Sequence, residues 1–171
     1  YSFDWIIVDG GSTDSSIDLI KSHNQFFNSI IIEKDNGIYD AYNKGIRNVN
    51  TKHFMFLNSG DRINLPGFQF LVKKIEEIDS ENKLLFFNNF HVINDKIVRE
   101  TLARKSLVKL YSMPPFQASI FLKEESFYFN DAYKISGDYD CFVRNLKTYY
   151  DGLYFNIPLI LQEVGGVSNN G

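Results

Sequence analysis

The stretch Phe3-Asp4-Trp5-Ile6-Ile7-Val8-Asp9-Gly10-Gly11-Ser12-Thr13-Asp14 decides the fold. Its run of apolar and β-branched residues reads as a buried strand, and Asp9-Gly10-Gly11 stops that strand at a tight turn. Ser12 and Thr13 can cap a helix and Asp14 suits the positive helix end, so a helix is predicted over 14–23, with Ile17, Ile20 and Leu19 on its apolar side. Residues 29–33 form the next strand. Beyond the turn Asp35-Asn36-Gly37, the residues Ile38, Ala41, Tyr42, Gly45, Ile46 and Val49 recur at the period of an amphipathic helix, and 53–57 reads as a third strand. A β-α-β-α-β run with short connections is the signature of a parallel sheet covered by helices, with right-handed crossovers.

Working outward, 65–78 reads as a helix, 84–90 and 92–98 as two strands around Asn94-Asp95, and 117–122 as strand-like. Residues 138–149 read as one helix and 153–161 as a strand around Pro158. No repeat, linker or change of composition divides the chain, so a single α/β domain spanning 1–171 is expected.

The 171 residues can bury a substantial core, and 44% apolar against 23% charged residues, with 16 Phe and 10 Tyr, exclude disordered and collagen-like classes. Eighteen basic and 21 acidic residues leave a formal charge of −3 without a Lys/Arg block, so no nucleic-acid footprint is present in the sequence. The single cysteine, Cys141, cannot pair within the chain, which fits a reducing compartment and no structural zinc. Apolar runs such as Leu84 to Phe87 fall far short of the ~20 residues that span a bilayer, and no signal-like segment opens the chain. A cytoplasmic protein is expected, with the inner face of the membrane within its reach. The chain starts at Tyr1, almost directly in a strand, as though a first strand preceded it.

In an open parallel sheet, ligands bind beyond the carboxyl ends of the strands. Asp9, Asp35 and Asp61 each follow one of the first three strands and fall on that rim. Each also has a plainer reading as a turn former, strongest for Asp35 before Asn-Gly and weakest for Asp61, which Asn58-Ser59-Gly60 leaves surplus to the turn. Carboxylates so placed repel an anion, so a phosphate-bearing ligand would need a divalent cation between. Mg²⁺ or Mn²⁺ takes one or two protein carboxylates and completes its shell from phosphates and water.

The blocks Ile6-Ile7-Val8-Asp9-Gly10-Gly11-Ser12-Thr13-Asp14, Asp35-Asn36-Gly37-Ile38-Tyr39-Asp40-Ala41-Tyr42-Asn43-Lys44-Gly45-Ile46 and Phe56-Leu57-Asn58-Ser59-Gly60-Asp61 resemble successive motifs of the family 2 glycosyltransferases. Pro115-Phe116-Gln117-Ala118, Ser136-Gly137-Asp138-Tyr139-Asp140 with Arg144, and Gly165-Gly166-Val167-Ser168 continue the likeness in order along nearly the whole chain. The resemblance implies a GT-A fold with a mostly parallel central sheet, a nucleotide-sugar donor, a divalent metal (Mn²⁺ or Mg²⁺) and inversion at the anomeric carbon. It places a nucleotide-binding half in 1–64 and an acceptor-side half in 65–171.

Residue by residue, the resemblance puts Asp9 with Gly11, Ser12 and Asp35 on the nucleotide, Asp61 on the metal, and Asp138 as the general base. Many relatives read Asp-Asp-Gly-Ser where this chain has Asp9-Gly10-Gly11-Ser12, and the metal motif keeps only Asp61. Tyr42 stands where other members carry an arginine near the phosphates, a role that Lys44 or another group could fill. Asp138 also suits a first-turn helix acid, worth ~1 kcal/mol, whereas a positioned base contributes ~10²–10⁴-fold. Gln117 could orient acceptor or base, or be a strand-edge polar residue. Asp140 and Arg144 could support the acceptor or phosphates, or pair locally. Gly165-Gly166-Val167-Ser168 is similar to a segment that closes over the donor, and equally to a turn.

The implied activity is transfer of a hexose or N-acetylhexosamine, with UDP as the favoured carrier, to a glycan or lipid-linked acceptor in bacterial surface-polysaccharide assembly. A nucleotidyltransferase and a non-catalytic nucleotide-sugar-binding module are the alternatives; the first should carry a Gly-rich basic loop at its opening strand.

Overall fold

The computed structural model describes residues 3–78, 83–124 and 127–164. They form two compact units, one of 1–54 with 123–141 and another of 55–122 with 142–171. The first begins as β1 (Ile6–Asp9), α1 (Ser16–Ser22), β2 (Ser29–Ile32), α2 (Ile38–Asn48) and β3 (His53–Phe54). β1 and β2 pair in parallel, from Ile6 opposite Ser29 to Asp9 opposite Ile32, as the β-α-β reading requires. Gly45 brings α2 close to β1: a Cβ there would lie 3.6 Å from the Val8 side chain.

Helix α1 is shorter than the residues 14–23 read from sequence. Asp14 is not in the helix; its Oδ1 accepts the Ser16 N–H at 2.9 Å, and no side chain caps the helix at Ser15. Short polar side chains here bind nearby backbone groups in turns, which delays the helix by two residues. The strand expected over 53–57 is paired only at His53 and Phe54.

The chain continues in the second unit with β4 (Arg62–Ile63), α3 (Leu65–Ile78), β5 (Leu85–Ile93), β6 (Lys96–Thr101), α4 (Lys105–Val108) and β7 (Ser119–Leu122). It then returns to the first unit, and α5 (Gly137–Arg144) carries it back to the second, where α6 (Leu146–Asp151) and β8 (Leu153–Glu163) end the described fold. β5 is the spine of the second unit's sheet. β8 runs parallel along one edge, while β7 and β6 pair antiparallel with successive parts of β5; β4 pairs antiparallel with β8. The sheet of this unit is therefore mixed, parallel between β5 and β8 and antiparallel at β4, β6 and β7. Asn94 and Asp95 both take positive φ (48° and 62°), the geometry of a two-residue hairpin turn, and such a turn can only join antiparallel neighbours.

Leu85, Phe86 and Phe87 are completely buried, and Leu71 and Ile78 of α3 pack with Ala118, Ile120, Leu159 and Ile160 in one core. Gly67 lets α3 lie on β8: a Cβ there would stand 2.0 Å from the Pro158 carbonyl oxygen. Phe56, just past β3, is held by stacking on Phe116 at 5.5 Å and by Phe121 at 5.7 Å, so ring packing replaces the ladder expected there. The helix expected over 138–149 is broken at Asn145 (φ −109°, ψ 22°). Asparagine bonds its own backbone readily and weakens a helix interior, and the break lets Tyr149 pack against both Phe142 (5.0 Å) and Phe86 (5.2 Å). No helix among the described residues is long and apolar enough to cross a membrane.

Candidate functional site

In the first unit, β1 delivers Asp9 to the carboxyl end of the parallel pair, where it is 9% exposed. Its Oδ1 accepts the N–H groups of Gly11 (2.9 Å) and Ser12 (2.7 Å), and Gly11 adopts φ +92°, a conformation that suits glycine. The Ser12 N–H, then the Ser12 hydroxyl, hold the Asp9 carboxyl below the usual carboxylate range, against the opposing effect of burial. Across the turn, Asp35 Oδ1 accepts the Gly37 N–H at 3.0 Å. Its Oδ2 lies where a side chain on residue 10 would begin, 2.2 Å from a Cβ built at Gly10. The structure thus brings Asp9, Gly11, Ser12 and Asp35 together.

A lowered acid stabilises the fold above its ordinary value, and that contribution is lost as pH falls through the folded-state value. Asp9→Ala is accordingly expected to lower the melting temperature at neutral pH. The difference from the parent chain should shrink steadily below about pH 4, as followed by circular dichroism. A pH-independent difference would show that the carboxylate charge contributes nothing.

The start of α2 is tied to the segment that leads into α5. Lys134 Nζ donates to the Asn36 carbonyl at 2.5 Å, Asp40 Oδ2 accepts the Asn36 N–H at 3.0 Å, and Asn43 is latched both ways to the Phe129 backbone at 2.8 and 2.9 Å. Tyr39 is 7% exposed, with its ring stacked on Phe129 at 5.6 Å. Its hydroxyl donates to Asp138 Oδ1 at 3.1 Å, and the same oxygen accepts the Tyr139 N–H at 2.9 Å. Asp138, half-buried near the start of α5, keeps Oδ2 without a partner among the described residues. Gly137 is needed for this approach, because a Cβ there would meet the Tyr39 ring at 2.8 Å. Burial, and next the Asp138 charge, push the Tyr39 phenol up, so it stays a donor at neutral pH.

Tyr39 was not singled out by the sequence, where it stands only within the motif from Asp35 to Ile46 and outside the apolar set Ile38, Ala41, Tyr42, Gly45, Ile46 and Val49. The available signal was a phenol three and seven residues before Tyr42 and Ile46 of that set, since a buried Tyr O–H usually finds a polar partner. Lys44 is engaged by Glu33 (3.1 Å), Asp40 (3.3 Å) and the Lys34 carbonyl (2.9 Å), with 11% of its side chain exposed. These contacts tie α2 to the end of β2.

The remaining sequence candidates lie in the second unit, except Asp140, whose N–H donates to the Ser136 carbonyl within the first. Asp61 closes a turn through its N–H to the Asn58 carbonyl (3.0 Å), with Gly60 at φ +87°. Asp61 Oδ1 accepts the Glu163 N–H at 3.2 Å, while Oδ2 is buried with no hydrogen-bond partner among the described residues. Burial pushes this carboxyl up, and the nearby Glu163 carboxylate adds to the effect. An orphaned, desolvated carboxylate oxygen fits a cation ligand. Among the described residues no group of three or more His, Cys, Asp or Glu could hold a metal, so a cation at Asp61 would draw its other ligands from bound phosphate and water. Gln117 is half-buried after the buried Pro114-Pro115-Phe116 and before β7, and Arg144 is exposed at the end of α5. Gly165-Gly166-Val167-Ser168 lies outside the described residues.

The sequence profile described as "Glycosyl transferase family 2" matches residues 1–142. Among solved structures, TarS 1-349 of S. aureus in complex with UDP superimposes with a TM-score of 0.71 at 15% identity over 95% of this chain and 52% of that one. The same protein in complex with UDP-GlcNAc gives 0.70 at 14% identity, over 96% and 50%. S. aureus TarS in a longer form gives 0.70 at 15% identity, over 95% and 31%. The chain spans about half the length of TarS 1-349, and the likeness is one of fold, the GT-A fold expected from the motifs. No curated protein matches the sequence.

Proposed function

The chain belongs to glycosyl transferase family 2, and from that premise we propose that it transfers a sugar, with inversion, from a UDP-linked donor to a glycan or lipid-linked acceptor in polysaccharide assembly in a bacterial cytoplasm. The observation that carries the reading is the Asp138 carboxylate. Tyr39 and the Tyr139 N–H fix Oδ1, and Oδ2 remains to accept the proton of an attacking hydroxyl. A base held in one rotamer meets the geometric demand of general-base catalysis, in which the acceptor must come within hydrogen-bond reach.

On the donor side, Asp9 and Asp35 with the Gly11 and Ser12 backbone form the nucleotide face. Asp35 Oδ2, at the place of a residue-10 side chain, supplies the carboxylate that Asp-Asp-Gly-Ser relatives carry on residue 10. Asp61 would hold a Mn²⁺ or Mg²⁺ ion through its orphaned oxygen, and such an ion offsets charge growing on a departing diphosphate. The UDP-GlcNAc complex of TarS supports an N-acetylhexosamine donor among those to be tried first. Residues 1–64 and 65–171 serve as the nucleotide and acceptor sides in this reading, with Gln117, Asp140 and Arg144 toward the acceptor.

The test is a screen of UDP-, GDP- and dTDP-sugars for release of nucleoside diphosphate with Mn²⁺ or Mg²⁺. Turnover of a UDP-sugar is the expected result. UDP binding with no turnover of any donor, in the presence of glycan and lipid-linked acceptors, would favour the binding module.

The Tyr39–Asp138 contact gives a further expected outcome. Tyr39→Phe removes a hydrogen bond to a charged acceptor, of the kind worth ~1.5–3 kcal/mol, and should lower kcat by roughly 10–100-fold with UDP affinity unchanged. Steady-state kinetics beside UDP calorimetry checks this. An unchanged kcat would mean that the phenol does not aim the base.

A further inference from the structure

We propose that the face built by α4 and α6 docks the protein on an anionic lipid surface. Lys105 Nζ and Lys109 Nζ lie 4.4 and 5.5 Å from the centroid of the Tyr150 ring, so two ammonium groups gather at one aromatic ring. Lys147 lines the same groove beside Val108, Lys109, Tyr111, Leu146 and Tyr150. None of these three lysines makes an ion pair among the described residues, and Arg104 stands exposed just before α4. The acid carried by the two helices is Asp151, at the end of α6. In a chain whose formal charge is −3, this local excess of positive charge is not a reflection of overall basicity.

The charge decides the sign of the partner and the apolar rim decides its kind. Leu110 and Tyr111 are 75% and 58% exposed, and Leu107 borders them at 37%. A free phosphate or a soluble polyanion would satisfy the ammonium groups but leave these side chains in water. A bilayer interface takes both, since leucine and tyrosine enter the headgroup region while lysines reach the lipid phosphates. The platform is rigid: Val108 fixes α4 and Tyr149 fixes α6, each 1% exposed. The placement is independent of the transferase reading, and its test uses no catalytic readout.

The test is co-sedimentation of the protein with vesicles of phosphatidylcholine alone and of phosphatidylcholine mixed equally with phosphatidylglycerol. Binding is expected for the mixed vesicles alone and should weaken with added salt. From the attraction of each lysine near such a surface, replacing Lys105, Lys109 and Lys147 together by alanine should weaken partitioning by about 100-fold. Leu110→Ser with Tyr111→Ser should weaken it by roughly tenfold at unchanged charge. Circular dichroism melts confirm that each variant is folded, and Leu110→Ala alone serves where the double variant is not. Equal binding to both vesicle types, indifference to the lysine replacements, or indifference to the Leu110 and Tyr111 replacements would each overturn the proposal. So would competition by inorganic phosphate at constant ionic strength, which would reassign the groove to a soluble anion.

Discussion

Asp138→Asn is expected to lower UDP-sugar turnover by ~10²–10⁴-fold and to leave UDP affinity within about twofold of the parent. The size follows from what the substitution removes. Asparagine is nearly the same shape and can still accept the Tyr39 hydroxyl, so the helix start and the packing of Tyr39 on Phe129 should survive. Its side chain cannot take a proton from an attacking hydroxyl. A loss of turnover together with a loss of fold would point instead to the first-turn helix role of the acid, which a melting curve detects. Full activity in Asp138→Asn would remove the base assignment.

Phe87→Ala is expected to cost 3–5 kcal/mol, the range for truncating a buried aromatic residue. Phe87 has no exposure, and its ring lies 5.1 Å from Phe155 and 6.3 Å from Phe70. It joins β5, β8 and α3, so the cavity would open at the seam of the core and be filled poorly by neighbours that are themselves fully packed. Against a total stability of about 5–15 kcal/mol, the unfolded population should rise by roughly 10²–10³-fold or more. Urea titration measures the shift. Ile97→Ala on β6, where the side chain is 56% exposed, is the internal comparison and should stay within about 0.5 kcal/mol. Equal costs at the two positions would contradict the assignment of the core to β5.

The parallel β-α-β start was legible because its signals are local: β-branched strands, turn residues and a long helical period from Ile38 to Val49. The start of the spine β5 was legible in the apolar run Leu84 to Phe87. The strand continues through Asn88, Asn89 and His91 to Ile93 and turns at Asn94-Asp95, where the sequence reads as two strands over 84–90 and 92–98. The sheet's mixed pairing was harder to see, because strand direction depends on partners distant in sequence, such as Leu85 opposite both Ile120 and Leu153. The break at Asn145 follows from Tyr149 reaching Phe86, a contact 63 residues away in sequence that no local pattern announces.

In the site, the carboxylates were found as single residues, but their surroundings were not. Asp9 is bound by its own turn, as the plainer reading allowed, and Asp35 meets Gly10 across the same loops. Tyr39 reaches Asp138 across 99 positions, and this pairing gives the acid a fixed direction. Asp61 could be read as surplus to its turn, yet its orphaned oxygen depends on burial beside Glu163, which only the folded chain supplies.

The central claim is a division of labour in which Asp61 serves the nucleotide through a cation and Asp138 serves the attacking hydroxyl. Calorimetric titration of UDP with and without Mn²⁺, run in parallel with UDP-sugar turnover on the parent chain, Asp61→Asn and Asp138→Asn, measures it most directly. The expected result is UDP binding that Mn²⁺ strengthens in the parent and in Asp138→Asn but not in Asp61→Asn, with turnover lost in both variants. UDP affinity indifferent to Mn²⁺ and to Asp61, or turnover that survives the loss of Asp138, would contradict it.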